Sequence, residues 1–185
     1  MPDRGLSDFI DGHIIVITGA TGGLGLAAAK ELSRLGATLI LVGRNRERLD
    51  QAQQDVRAFS GCGVDRLHAV EADLSRLEEV RLAARHIQAL TPEVHGLINN
   101  AGALFNERDL TTEGNERTLA VNLLAPYLLT EKLLPALERG RGRVVNVASG
   151  GLYLQALRLD DMEFESERFD GAKAYARAKR ALVSQ

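Results

Sequence analysis

Hydrophobic residues along this chain alternate between short unbroken apolar runs and longer stretches where they recur every three or four positions. Ile14–Thr18 is the first short run, β-branched and without polar alternation, as expected of a strand covered on both faces. It breaks at Gly19, and a helix is predicted through Leu24, Ala27, Ala28, Glu31, Leu32 and Leu35, with Gly36 placed to close it. The alternation continues with strands at 37–42, 66–70, 94–98 and 143–147 and helices at 46–59 and 75–90. Ser75-Arg76-Leu77-Glu78 has capping-box spacing and predicts the start of the 75–90 helix. Residues 112–138 are apolar on more than one side, through Leu119, Val121, Leu123, Leu129, Leu133 and Leu137, so a helix buried on several faces is expected, bent at Pro126. A long loop comes next, and its acidic stretch (Asp160, Asp161, Glu163, Glu165, Glu167) reads as a solvated lid edge before a final helix near Asp170.

Strand and helix in strict alternation imply a parallel sheet with right-handed crossovers. The expected fold class is α/β: a single Rossmann domain over residues 1–185, built on a doubly wound parallel sheet of strand order 3-2-1-4-5. Ligands of such sheets bind at the carboxyl ends of the strands.

Composition narrows the function classes. With 45% hydrophobic and 26% charged residues the chain has the profile of an ordinary globular protein, and its net charge of -2 lacks the basic excess of a nucleic-acid binder. The apolar runs are far shorter than the ~20 residues of a membrane span, and the polar stretch 1–12 does not read as a secretory leader. The single cysteine, Cys62, has no disulfide partner, which fits a reducing, cytoplasmic setting. His13, His68, His86 and His95 lack ligand-like spacing, so no metal site is expected.

The most informative local pattern is Thr18-Gly19-Ala20-Thr21-Gly22-Gly23-Leu24-Gly25, directly between the first strand and the first helix. Gly19 allows the sharp turn, Gly23 lets backbone N–H groups approach a pyrophosphate, and Gly25 permits close packing of helix on strand. The helix N-terminus then faces the negative charge. A site for NAD usually carries an acid about twenty residues beyond the glycines, to bind the ribose 2′-hydroxyl. Gly43 and Arg44 stand there instead, and the first carboxylate is Glu47. Arg44 would give a 2′-phosphate a charge-assisted contact, so NADP(H) is expected ahead of NAD(H). The alternative is a solvated arginine in a basic turn that also holds Arg46 and Arg48.

Tyr175 and Lys179 stand four apart in the final helix and so share a face, whereas Tyr127 and Tyr153 have no lysine at that spacing. A nearby ammonium stabilises a phenolate and makes the phenol a usable proton donor near neutrality.

With the glycine turn, Asp73, Asn99-Asn100-Ala101-Gly102, Asn122, Ser149 and the Tyr175/Lys179 pair in order, the chain resembles the short-chain dehydrogenase/reductase family. Arg44 and the long stretch from Ser149 to Tyr175 resemble its retinol-dehydrogenase-like branch, and the 149–152 and 169–171 stretches its orphan members. The resemblance implies Asn122, Ser149, Tyr175 and Lys179 as the catalytic set. Tyr175 would protonate the carbonyl oxygen, Ser149 would hydrogen-bond it, Lys179 would bind the nicotinamide ribose, and Asn122 would hold a water that refills the proton. It further implies that Thr18, Gly19, Thr21, Gly22, Gly23, Leu24, Gly25, Arg44, Asp73, Leu74, Asn100, Ala101 and Gly102 contact the cofactor together with Tyr175 and Lys179. Asp73 would hold the adenine, and Asn99 would line the cofactor and support the central strand.

Members of this family continue well past the catalytic lysine, so the sheet is expected to lack C-terminal strands and to expose its fifth strand as an edge. The resemblance leaves two functions open. One is oxidoreduction of a small-molecule carbonyl or alcohol, with a homodimer formed through the 112–138 helix; the other is a non-catalytic NADP-binding module or inactive truncated fragment.

Overall fold

Ile14–Thr18 forms β1, the central strand of a five-stranded sheet of order β3-β2-β1-β4-β5, in a computed structural model that describes residues 9–184. The other strands are β2 (Thr38–Gly43), β3 (Leu67–Glu71), β4 (Gly96–Asn99) and β5 (Arg143–Asn146), and every pairing is parallel. The helices are α1 (Gly23–Arg34), α2 (Arg46–Ser60), α3 (Leu77–Leu90), α4 (Ala125–Arg139) and α5 (Gly171–Leu182). The order and direction expected from the alternation are those observed. Most of the polar 1–12 stretch lies outside the described residues.

Successive strand residues point to opposite faces of the sheet, and both faces are covered, which is why the strands show no polar alternation. Ile15, Ile17, Leu39 and Leu41 pack with Ala29 of α1 and Leu49 and Val56 of α2. Val16, Ile40, Val42 and Leu97 face the other way, against Val80 and Ile87 of α3 and Leu129 and Leu133 of α4. Each large side chain buried this way contributes roughly 1.5–3 kcal/mol. On the β5 side the covering ends: Val144 and Val145 are 39% and 51% exposed. Among the described residues no helix is long and apolar enough to cross a membrane.

Helix starts depart from the sequence expectation in two places. The Ser75-to-Glu78 capping box does not form, because α3 begins at Leu77 with Arg76 at its N-cap and no side-chain cap from that residue. Glu113, from a distant turn, accepts the N–H groups of Leu77 (2.7 Å) and Glu78 (2.9 Å), and Glu79 accepts that of Asp73 (2.7 Å). A remote carboxylate satisfies the first-turn donors that a local Ser would otherwise take.

The long helix expected from 112 starts instead at Arg117, because the chain turns at residues 111–115 and Glu116 caps the helix beyond that turn. The buried Glu116 carboxylate accepts from the N–H groups of Thr118 and Leu119, at 2.8 Å each. One α-turn (Arg117–Leu119) leads into a π turn (Ala120–Leu124) and then α4. Pro126 sits in the first turn of α4, where its missing N–H is tolerated, so the disturbance expected there takes the form of a widened turn just before it.

Candidate active site

The carboxyl ends of β1 and β4 are cross-tied by one hydroxyl. Thr18 Oγ1 accepts from the N–H groups of Asn100 (3.1 Å) and Ala101 (3.0 Å) and donates to the Ile98 carbonyl (3.4 Å). The Asn100 amide donates in return to the carbonyls of Thr18 (3.0 Å) and Gly19 (3.3 Å). Thr18 and Asn100 therefore hold the glycine turn in shape from behind. Gly19 is in the left-handed region (φ +66°), and a Cβ there would lie 2.9 Å from the Ala101 Cα. A Cβ on Gly25 would collide with the Gly19 carbonyl oxygen and the Asn100 amide. Gly22 and Gly23, by contrast, face open space.

In front of this turn lies a cleft of about 250 Å³. Gly19, Thr21, Ala101 and Gly102 form its floor, Arg44 and Arg48 one end, and Asp73, Leu74 and Ser75 a side wall. Phe105, with the Arg117 guanidinium 4.4 Å above its ring centre, closes another side. Among the described residues the N-terminus of α1 has neither a side-chain cap from Gly22 nor a first-turn acid, which leaves its amides able to meet an anion. Leu24 is exposed on that first turn. Glycines that no side chain could replace, an uncapped helix end and a cleft of this shape together fit a dinucleotide.

The three arginines after β2 divide in a way their spacing does not reveal. Arg46 pairs with Asp50 at 2.9 Å, whereas Arg44 and Arg48 line the cleft with no acidic partner among the described residues. In the sequence Arg48 is legible only as part of a basic turn. Asn45 accepting the Arg48 N–H (2.8 Å) sets where α2 begins and so which arginines point inward.

Lys179 is 2% exposed and donates to the Val147 carbonyl at 2.9 Å, just beyond β5. Burial pushes its pKa below the ordinary lysine value. Its ammonium lies 5.8 Å from the ring centre of the half-buried Tyr175. Gly102 lies close to both Lys179 and Asn122: a Cβ there would be 3.3 Å from Lys179 Nζ and 3.0 Å from Asn122 Oδ1.

Asn122 sits in the π turn with both ends of its amide engaged. It donates to the carbonyls of Ala103 (2.7 Å) and Thr118 (2.8 Å) and accepts from the Ala103 N–H (3.2 Å). Four residues beyond Asn122, where an α-helix would supply an N–H to its backbone carbonyl, stands Pro126, which has none. Ser149 Oγ accepts weakly from the Gly151 N–H (3.4 Å), capping a short 3-10 helix (Gly150–Leu154) that packs against α5. Among the described residues its own O–H has no acceptor and can donate. Lys179, Asn122 and Tyr175 thus converge at the carboxyl ends of β4 and β5, beside the cleft.

Two expectations change. Asn99 does not line the cleft: it is buried, and its amide donates to Asn146 Oδ1 (2.9 Å) and Thr130 Oγ1 (3.2 Å), bracing β4 against β5 and α4. The acidic stretch before α5 keeps Asp160 and Glu165 exposed, as a solvated edge would, but it is also tied down by hydrogen bonds and ion pairs. The Asp161 carboxylate accepts from the N–H groups of Glu165, Ser166 and Glu167; although burial works to raise its pKa, these donors outweigh that and hold it low. Glu167 pairs with Lys173 and Arg177, and hydrogen bonds from those two cations hold its carboxyl below the usual range. Phe105, Arg117 and Val121 also line the cleft. They reach it from the segment after β4 through long-range folding, which leaves no local sequence signal.

Residues 13–154 match the short chain dehydrogenase family. The chain is 39% identical over 177 residues to polyprenol dehydrogenase of Mus musculus, covering 93% of this chain and 52% of that protein. It is 37% identical over 175 residues to dehydrogenase/reductase SDR family member 12 of Homo sapiens, covering 94% of this chain and 54% of that one. It therefore spans about half the length of the curated relatives it matches. A short chain dehydrogenase from Escherichia coli CFT073, complexed with NADPH, superposes with a TM-score of 0.74 at 28% identity, over 96% of this chain and 70% of that one.

Proposed function

Because the chain belongs to the short-chain dehydrogenase family, we propose that it is an NADP(H)-dependent oxidoreductase interconverting a small-molecule carbonyl and its alcohol, with Tyr175 as general acid and base. The observation that carries this reading is the buried Lys179 ammonium, held by the Val147 carbonyl 5.8 Å from the Tyr175 ring centre and close to Gly102 of the cleft lining. A buried cation with one backbone acceptor costs stability, and a phenol beside it gives that cost a chemical use.

Gly22, Gly23 and the α1 amides would hold the pyrophosphate, Asp73 the adenine end, and Arg44 and Arg48 the 2′-phosphate. When bound, the nicotinamide supplies or accepts the hydride. Tyr175 would give a proton to the carbonyl oxygen in reduction and take it from the alcohol in oxidation, while the Ser149 hydroxyl donates to that oxygen where charge develops. Lys179 would stabilise the phenolate, and the Asn122 backbone carbonyl would hold a water able to return the proton. NADPH in a similar solved structure supports the cofactor choice. The reading extends to a reducing cytoplasmic setting, on the lone Cys62, and to a homodimer through α4, where Tyr127 and Leu134 are exposed.

Titration with NADPH and NADH tests the cofactor half. Tighter binding of NADPH is expected, and Arg44→Ser should weaken it by roughly tenfold or more, the worth of one hydrogen bond to a charged group, with NADH little changed. Tighter binding of NADH by the unmodified protein would rule the assignment out.

The buried lysine also has a signature in stability. Its folded-state pKa is depressed, so the unfolded chain binds the extra proton between that value and the ordinary 10.5. Stability from this group is complete above 10.5 and is lost as pH falls through the folded pKa. Chemical denaturation of the protein and of Lys179→Met across the alkaline range should therefore show the unmodified protein gaining relative to the variant as pH rises. A constant difference would mean that Lys179 is not buried as a cation.

A further inference from the structure

We propose that Arg177 is a positioning residue, clamping the segment that joins Ser149 to Tyr175 against the catalytic helix; this rests on the oxidoreductase reading above. Arg177 lies on α5 between Tyr175 and Lys179, and its side chain is 2% exposed. The guanidinium pairs with the Glu167 carboxylate and lies 4.9 Å from the centre of the Phe164 ring. Phe164 is itself buried, meets Phe169 edge-on at 5.3 Å, and holds a left-handed backbone (φ +52°) that a phenylalanine adopts only when its surroundings impose it.

Two further contacts tie this segment to the cleft. Arg108 Nε donates to the Glu163 carbonyl at 2.8 Å, and Gly171 packs so closely on the Phe105 carbonyl that a Cβ there would overlap it. Phe105 lines the cleft. The clamp therefore bears on the run between Ser149 and Tyr175 and, through it, on the run after β4 that brings Phe105 to the cleft.

Stability alone does not explain an arginine here. Its Nε is buried with no partner among the described residues, and an apolar side chain of similar volume often serves a buried ion pair's place equally well. What the planar guanidinium adds is direction, since it pairs with a carboxylate in its plane and stacks on a ring with its face.

Arg177→Met, Arg177→Lys and Glu167→Gln would be compared with the unmodified protein in two assays. One is hydrogen exchange of the amides in residues 160–169; the other is steady-state reduction by NADPH of the best-reduced member of a panel of aliphatic and aromatic aldehydes. Arg177→Met and Glu167→Gln should speed exchange in that segment and raise the aldehyde KM by about tenfold to a hundredfold. Arg177→Lys, which keeps the charge but not the flat stacking surface, should recover part of the loss. If Arg177→Met does not fold, Glu167→Gln decides. Unchanged exchange and unchanged KM in a folded variant would overturn the proposal. If the unmodified protein reduces none of the aldehydes, the oxidoreductase reading fails, and exchange alone then decides whether the clamp exists.

Discussion

Replacing Tyr175 with phenylalanine should lower NADPH-dependent carbonyl turnover by roughly 10²–10⁴-fold, the range for loss of a positioned general acid, with a far smaller change in NADPH affinity. The substitution removes one oxygen and keeps the ring, so the packing of α5 and the Lys179–Val147 hydrogen bond at 2.9 Å should survive. Steady-state kinetics beside a binding titration separates the two effects. Equal turnover by the variant, with cofactor affinity intact, would mean that the proton comes from elsewhere. The Ser149 hydroxyl, able to donate, would then be the next group to test.

Gly25→Ala should be nearly as damaging by a different route. The added methyl would meet the Gly19 carbonyl oxygen and the Asn100 amide, and one of these is backbone that cannot swing aside. Relief requires α1 to back away from the carboxyl end of β1, which breaks up the Asn100 contacts to the Thr18 and Gly19 carbonyls. Overpacking of this kind costs roughly 1–3 kcal/mol, and that should appear as a melting temperature lower by several degrees. The larger effect should be on NADPH, because the helix amides and the turn move together; a loss of more than about tenfold is expected from the displaced helix end. An unchanged affinity would show that the glycine is needed for packing alone.

Much of the fold and site is legible in the sequence because the relevant physics is local. Sheet order comes from the alternation of apolar runs, and the glycine turn from its place at the first strand–helix junction. Tyr175 and Lys179 share a face by helical spacing alone. The features that stay hidden depend on partners distant in sequence. Glu113 caps α3 from 36 residues away, so the Ser75-to-Glu78 pattern is a plausible local signal for a cap that tertiary structure supplies otherwise. Asn99 and Asn100 are adjacent and chemically identical, yet one braces β4 against β5 and the other shapes the glycine turn, because Asn99 ends the strand and Asn100 lies just beyond it, where the chain turns back. The acids before α5 read as solvated because composition cannot show that Glu167 meets a buried arginine ten positions on.

The π turn at Ala120–Leu124 sets two registers within one rod. Arg117 before it and Val121 within it line the cleft; after it, Leu129 and Leu133 fill the core. The turn holds one residue more than an α-helical turn would, and each residue of an α-helix advances the rotation by about 100°. An insertion or deletion inside the turn could leave the hydrogen-bond ladder continuous and still twist one half against the other by that angle. The core would hold its half in place, so the cleft residues would be the ones rotated out of position. The length of this turn is therefore as much a part of the site's specification as any side chain in it.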